Sequence, residues 1–210
     1  FVALWNYTVH WPMEAPARLV AKYRNLPLEG YRDHRYAAMI EAMDASIGRV
    51  LDTLEQLEAA GDTIVVFTSD NGPFGGVGDA RPLRGDKGHL YEGVPLIVRW
   101  PGKIKAGVEN PTPVISTDFY PTLLSAAGLR IGEDIVTDGE NLLPLLIAGK
   151  SLKRQAIFWH YPNFAFHRDN RLGSAIRAGD YKLLEFFDDQ SVELYNLRKD
   201  IGEKMNLAGK

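Results

Sequence analysis

Thr63-Ile64-Val65-Val66-Phe67-Thr68-Ser69-Asp70-Asn71-Gly72 is the stretch on which the reading of this chain turns. Its first six residues are β-branched or aromatic and predict a short buried strand. Asp70 and Asn71 then fall at the carboxyl end of that strand, where open α/β sheets bind their ligands. A carboxylate oxygen and an amide oxygen both suit a hard cation such as calcium or magnesium. Gly72 lets the backbone turn away sharply. Asp-Asn-Gly is also a common turn sequence, so the residues alone leave a metal site and a plain turn both open.

Upstream of this stretch, Tyr36, Ile40, Met43, Ile47, Val50, Leu54 and Leu57 recur at helical spacing. They predict an amphipathic helix over 33–60, with Asp33 as its cap and Gly61 in the left-handed position after it. Phe1-Val2-Ala3-Leu4-Trp5, with Asn6, predicts a buried strand that is already running at the first residue. With no initiator Met before it, this start predicts a break in a longer protein. Prolines at 12 and 16 make 7–16 a loop.

Downstream, 73–93 is glycine-rich and aperiodic, a long loop of functional type. Pro95 to Trp100 predicts a third strand, stopped by Pro101-Gly102. Phe119 to Ala127 predicts a helix capped by Asp118 and ended by Gly128. After Lys150 the texture changes to short strand candidates at 156–159, 174–177, 181–187 and 192–195, with hairpin connections at 178–180 and 188–190. A short helix is expected near 201–207. The expected fold is α/β. Residues 1–150 contribute a mixed central sheet flanked by helices, and residues 151–210 form a small antiparallel sheet with a helix.

Composition narrows the function classes. Of 210 residues, 45% are apolar and 24% charged, the net charge is -3, and there is no cysteine. Disulfides, zinc–thiolate sites and cysteine nucleophiles are therefore excluded within these residues. Neither a nucleic acid nor a membrane is an expected partner, because no basic stripe is present. No apolar run approaches the roughly 20 residues of a membrane span.

Four further residues have site chemistry. His10, in Val9-His10-Trp11-Pro12, follows the first expected strand and could donate a proton or bind an anion. Lys87, between glycines in Leu83-Arg84-Gly85-Asp86-Lys87-Gly88, offers a compact charge for an anionic oxygen. His160, in Phe158-Trp159-His160-Tyr161-Pro162, is either a packed core histidine or a substrate contact at a pocket rim. His89 could line a pocket of the glycine-rich loop. Taken singly, each also reads as an ordinary packing or surface residue.

The ordered set is more specific. Val9 to Pro12, Phe67 to Gly72, Leu83 to Gly93 and Pro95 to Gly102 resemble, in this order, the C-terminal half of the sulfatase family of the alkaline-phosphatase-like superfamily. Ser174 to Leu183 and Glu193 to Leu197 are similar to that family's C-terminal subdomain. The resemblance covers nearly the whole chain.

The resemblance implies an alkaline-phosphatase-like fold and a sulfuric ester hydrolase acting on a sulfated carbohydrate or aryl sulfate. Asp70 and Asn71 would be two ligands of a calcium ion. His10 and Lys87 would contact the sulfate group and the bridging oxygen, and His160 the substrate near the rim. The family's nucleophile is a formylglycine made from a Cys/Ser-x-Pro/Ala-x-Arg motif, which these residues lack. The nucleophile, the Asp-Asp metal ligands and further Lys and His residues are thus expected in a missing N-terminal half. Alone, this stretch is expected to be inactive and to hold calcium weakly. Gly93 runs into Val94-Pro95 where the family reads Tyr-Glu-Gly-Gly-Ile/Val-Arg-x-Pro, through a deletion or omitted loop residues. Related phosphodiester or phosphonate monoester hydrolysis, or a non-catalytic binding remnant, are the alternative functions. The family implies a periplasmic or secreted protein.

Overall fold

A computed structural model describes residues 1–27, 29, 31–85, 87, 93–132, 134–162 and 170–209. Its helices and strands run α1 (Ala17–Arg24), α2 (His34–Gln56), β1 (Val65–Thr68), β2 (Leu96–Arg99), α3 (Phe119–Ala126), α4 (Leu143–Ala148), β3 (Ala156–Tyr161), β4 (Gly173–Ala178), β5 (Tyr181–Phe186) and β6 (Val192–Asn196).

The long helix forms as its periodicity predicts, and Asp33 caps it by accepting the Arg35 N–H at 2.8 Å. Its buried residues cluster in the first turns, at Tyr36, Ala37, Ala38 and Met39, whereas Ile40 and Leu57 stay exposed. The left-handed turn after the helix falls on Glu58 (φ 55) rather than Gly61. Gly61 instead lies in a short 3-10 turn, Ala60–Asp62, and its carbonyl accepts the Trp100 Nε1–H at 2.9 Å. α1, not foreseen, packs on α2 and is tied to it by Lys22 Nζ and Glu41 Oε2 at 2.6 Å.

β1 and β2 pair antiparallel, Val65 opposite Arg99 and Thr68 opposite Leu96. Both are half-buried rather than fully buried, since among the described residues each has one neighbouring strand. The strand expected at 1–6 is not formed. Phe1, Val2, Leu4 and Trp5 are exposed, and no described strand lies alongside to take up their backbone polar groups.

α3 follows a 3-10 turn and ends where Gly128 takes φ 73. Asp118 does not cap it with its side chain. That carboxylate instead accepts the N–H groups of Ile115 and Glu140.

The four strands after residue 150 form one antiparallel sheet in the order β3-β4-β5-β6. A two-residue turn at Gly179-Asp180 joins β4 to β5, with Gly179 at φ 55. Ala175, Leu184, Phe186, Tyr195 and Leu197 make the core of this sheet, with Trp159 against it. The helix expected at 201–207 is replaced by turns. Asp200 Oδ2 takes the N–H groups of Lys204 and Met205, Glu203 sits at φ 51, and Leu207 N–H donates to Leu194 O. Local carboxylate acceptors and a left-handed residue thus outcompete the helical ladder. No helix of the described residues is long and apolar enough to cross a membrane.

Candidate functional site

β1 delivers Ser69, Asp70 and Asn71 to its carboxyl end, as expected. The turn is held locally: Ser69 Oγ–H donates to Asn71 O at 2.9 Å and Asn71 Nδ2–H to Gly72 O at 2.8 Å. With its NH2 engaged, the Asn71 amide oxygen remains as an acceptor. Asp70 is exposed, and no hydrogen bond or ion pair holds its carboxylate among the described residues. The pair therefore fits a hard cation in chemistry. It supplies only part of the six to eight oxygens, or so, of a calcium shell. Among the described residues no three His, Cys, Asp or Glu side chains stand together as a metal group.

Lys87 comes to this turn through the backbone. Its N–H donates to Pro73 O at 2.9 Å, two residues beyond Asn71. The rest of the 86–92 motif, including His89, lies outside the described residues.

His10 reaches the same neighbourhood by packing. Val9 beside it, and Phe74 and Val77 beyond Pro73, pack on the buried trio Met13, Tyr36 and Met39. Tyr31 pairs with Gly78, and Arg32 N–H donates to Val77 O at 2.8 Å, pressing the 73–78 loop onto the start of α2. Gly78 has no room for a side chain: a Cβ there would lie 2.4 Å from Pro73 Cβ. His10 itself is exposed, its Nδ1 2.8 Å from Trp11 O. A carbonyl can only accept, so Nδ1 carries the hydrogen and Nε2 is free for proton exchange or anion contact.

A backbone hydrogen bond thus joins Lys87 to the loop that follows Asn71, and Val9, next to His10, packs on the same apolar trio as that loop. Among the described residues no hydrogen bond or ion pair joins the side chains of His10, Asp70, Asn71 and Lys87 to one another. His160 stands apart from them on β3, with Nδ1 2.8 Å from Ser174 Oγ and its ring tilted on Phe187 at 5.7 Å.

A cleft of about 500 Å³ opens between the 76–85 loop and the C-terminal sheet, and Arg32, Arg81, Arg84 and Arg171 line it. Sequence reading did not single these arginines out, because the cleft joins segments far apart in the chain. Asp79 takes a bidentate grip from Arg81, which holds its carboxyl at about 2. Arg171 lies 3.8 Å from the Phe186 ring centroid and pairs with Asp188 at 2.5 Å. Arg84 is bound to Glu193. Arg32 makes no ion pair among the described residues, although Asp79 in the same cleft feels its charge.

Two sequence families match. One described as "Sulfatase" covers residues 1–129, and one described as "N-sulphoglucosamine sulphohydrolase, C-terminal" covers residues 85–210. The chain is similar to a sulfatase of Formosa agariphila, at 39% identity over 82% of this chain and 35% of the relative. It is also similar to an N-acetylglucosamine-6-O-sulfatase of Bacteroides thetaiotaomicron, at 34% identity over 93% of this chain and 37% of the relative. It therefore spans little more than a third of the length of these relatives. Among solved structures it resembles Ps i-CgsB, with TM-score 0.81 and 30% identity over 96% of this chain and 44% of that one. It also resembles a protein solved with its substrate D-glucosamine-2-N,6-O-disulfate, with TM-score 0.71 and 33% identity over 92% of this chain and 41% of that one. These neighbours share an alkaline-phosphatase-like architecture, and the chain belongs to the sulfatase family.

Proposed function

We propose that these residues form the metal-turn and leaving-group side of a calcium-dependent sulfuric ester hydrolase acting on a sulfated carbohydrate. The hydrogen bond from Lys87 N–H to Pro73 O carries the reading, because it brings Lys87 beside the Asp70-Asn71 turn. Asp70 and Asn71 would hold the cation through their side-chain oxygens. A bound divalent cation supplies Lewis-acid stabilisation of negative charge on a sulfate oxygen.

The chain's own residues would do the rest. As the ester S–O bond breaks, negative charge grows on the departing oxygen, and a positioned cation or N–H donor stabilises it. The Lys87 ammonium would face that oxygen or a sulfate oxygen. His10 Nε2 would hold or pass the proton that the departing oxygen takes. The arginine-lined cleft would take further anionic groups of the saccharide, and His160 would lie near its rim. The domain boundary near residue 150 falls in this reading between the catalytic α/β part and the sheet that walls the cleft.

These residues contain no cysteine and no Cys/Ser-x-Pro/Ala-x-Arg sequence. In this reading a formylglycine nucleophile comes from elsewhere in the whole protein, and the 210 residues alone release no sulfate. Export to the periplasm or cell exterior fits the same reading.

The test is product identity. The whole protein, given a sulfated glucosamine, an aryl sulfate and a phosphonate monoester, should release inorganic sulfate from the first two. Preferential cleavage of the phosphonate ester would favour the alternative suggested by the likeness to a phosphonate monoester hydrolase of Silicibacter pomeroyi, with TM-score 0.62 and 27% identity over 84% of this chain and 37% of that one. Binding without turnover of any ester would leave a glycan- or metal-binding role.

A further inference from the structure

We infer that Arg84 is a positioning residue for Lys87, and that Glu193, Glu203 and Lys182 form the charged socket that fixes it. The inference rests on the proposed role of Lys87.

The socket is built from residues distant in sequence. Arg84 Nη1–H donates to Glu193 Oε2 at 2.5 Å, to Tyr195 OH at 3.2 Å and to Glu203 Oε2 at 3.4 Å, and Nη2–H donates to Glu193 Oε1 at 3.3 Å. The other oxygen of Glu203 accepts Lys182 Nζ–H at 2.5 Å. The Lys182 and Glu203 side chains are each only 3% exposed. Among the described residues, Arg84 and Lys182 thus meet Glu193 and Glu203 in direct ion pairs. The Arg84 fork also lies over the Tyr195 ring at 5.5 Å. Glu193 is held below its ordinary range by Arg84, although burial alone would push it up. Burial raises Tyr195 to about 12, so its hydroxyl keeps its proton and donates to Glu193 Oε2 at 3.0 Å.

Two features argue for placement rather than mere adhesion. Glu203 adopts φ 51, a left-handed conformation costly for a residue with a Cβ. Such strain persists where the surroundings over-determine it; here both carboxylate oxygens are engaged. A buried ion cluster is also weak evidence of net stabilisation, since apolar packing commonly does as well. What the cluster offers beyond apolar packing is direction, because a guanidinium binds in a fixed fork.

Arg84 stands three residues before Lys87, a span of at most about 10 Å. Lys87 is itself tied to Pro73 O. Lys87 is therefore tied through its own N–H to the segment after the Asp70-Asn71 turn, and Arg84, three residues before it, to the C-terminal sheet. A displacement of about 1 Å at a catalytic group is enough to cost about 100-fold in rate.

The experiment is a double-mutant cycle in the whole protein, with Arg84→Met, Lys87→Ala and both, read as kcat and KM for two aryl sulfates of different leaving-group acidity. Arg84→Met is expected to lower kcat by about 10- to 100-fold with KM within about threefold. The loss should be larger for the poorer leaving group, as with Lys87→Ala. In the Lys87→Ala background, Arg84→Met should cost less than about threefold more, the signature of coupled residues. Arg84→Lys, which keeps the charge without the fork, should recover part of kcat. If Arg84→Met does not fold, Glu193→Gln gives the same readings. Losses that multiply in full, or a lowered Tm with unchanged kcat, overturn the inference while leaving Lys87 in place. Unchanged turnover in Lys87→Ala alone would instead overturn the proposed role of Lys87, and this inference with it.

Discussion

The guanidinium of Arg154 grips both carboxylate oxygens of Asp118, at 2.5 and 2.6 Å, and Asp118 is completely buried. The same carboxylate accepts backbone N–H groups from Ile115 and Glu140, so one side chain gathers the approach to α3, the segment before α4 and the lead into β3. Arg154→Met would leave a buried carboxylate without its cation. The expected loss of stability is about 3 kcal/mol or more, measured by denaturant melts of the protein and its variant. A change below about 0.5 kcal/mol, the usual range for a surface substitution, would mean that the pair does not hold these segments.

Gly78 and Pro73 stand so close that Gly78→Ala would drive a Cβ to 2.4 Å from the proline ring and 3.1 Å from the Tyr36 hydroxyl. Overpacking of this kind costs about 1–3 kcal/mol. Because Pro73 O receives Lys87 N–H, the strain should reach the site as well. A lowered Tm together with a lowered kcat is expected. An unchanged kcat at full folding would separate the loop from catalysis.

These two relationships mark the limit of what the sequence could tell. Local signals were legible: Asp33 as a cap, the 3.6-residue rhythm of α2, the turn at Gly179-Asp180 and all four strands of the C-terminal sheet. His10, Asp70, Asn71 and Lys87 each lie in a recognisable short motif, and the structure ties Lys87 by its backbone to the loop after Asn71. Asp118 was read as a cap since it precedes a helix, but its partner is 36 residues away and no local pattern announces it. Arg84 and Glu193 are 109 residues apart, and their pairing needs the folded chain. The apolar run at 1–6 has strand composition, yet a strand also requires a neighbour. The end of the chain misled for the opposite reason. The sequence predicts a helix near 201–207, and there Asp200 captures the backbone donors instead.

Asp79 and Arg81 provide a pH test. The carboxyl of Asp79 is held at about 2, against an ordinary 3.8, chiefly by the hydrogen bonds from Arg81. A depressed carboxyl contributes stability that is fully present above its unfolded value and is lost as pH falls through the folded one. The difference in Tm between the protein and Arg81→Met should therefore be constant above about pH 5 and vanish between about 4 and 2. It should also shrink in high salt, since the Arg81 side chain is exposed. A difference that grows on acidification would contradict the assignment.

Arg32 is the cleft arginine that makes no ion pair among the described residues, Asp79 feeling its charge from beyond ion-pair distance. Arg32→Ala should raise KM by about 5- to 20-fold for a saccharide carrying more than one sulfate, the effect of losing one charge-assisted hydrogen bond. It should leave kcat and the KM of a small aryl sulfate nearly unchanged. Equal effects on both substrates would place Arg32 outside the saccharide site.

The calcium dependence of sulfate release tests the central claim most directly. In the whole protein, kcat/KM for sulfate release should rise with free calcium to a plateau. Removing the ion with a chelator should abolish release, and added calcium should restore it. In Asp70→Asn, which removes one charged oxygen ligand and keeps the shape of the turn, the same rise should need about 10- to 100-fold more calcium. Coincident calcium curves for the two proteins, or sulfate release indifferent to chelation, would contradict the placement of a cation at the Asp70-Asn71 turn.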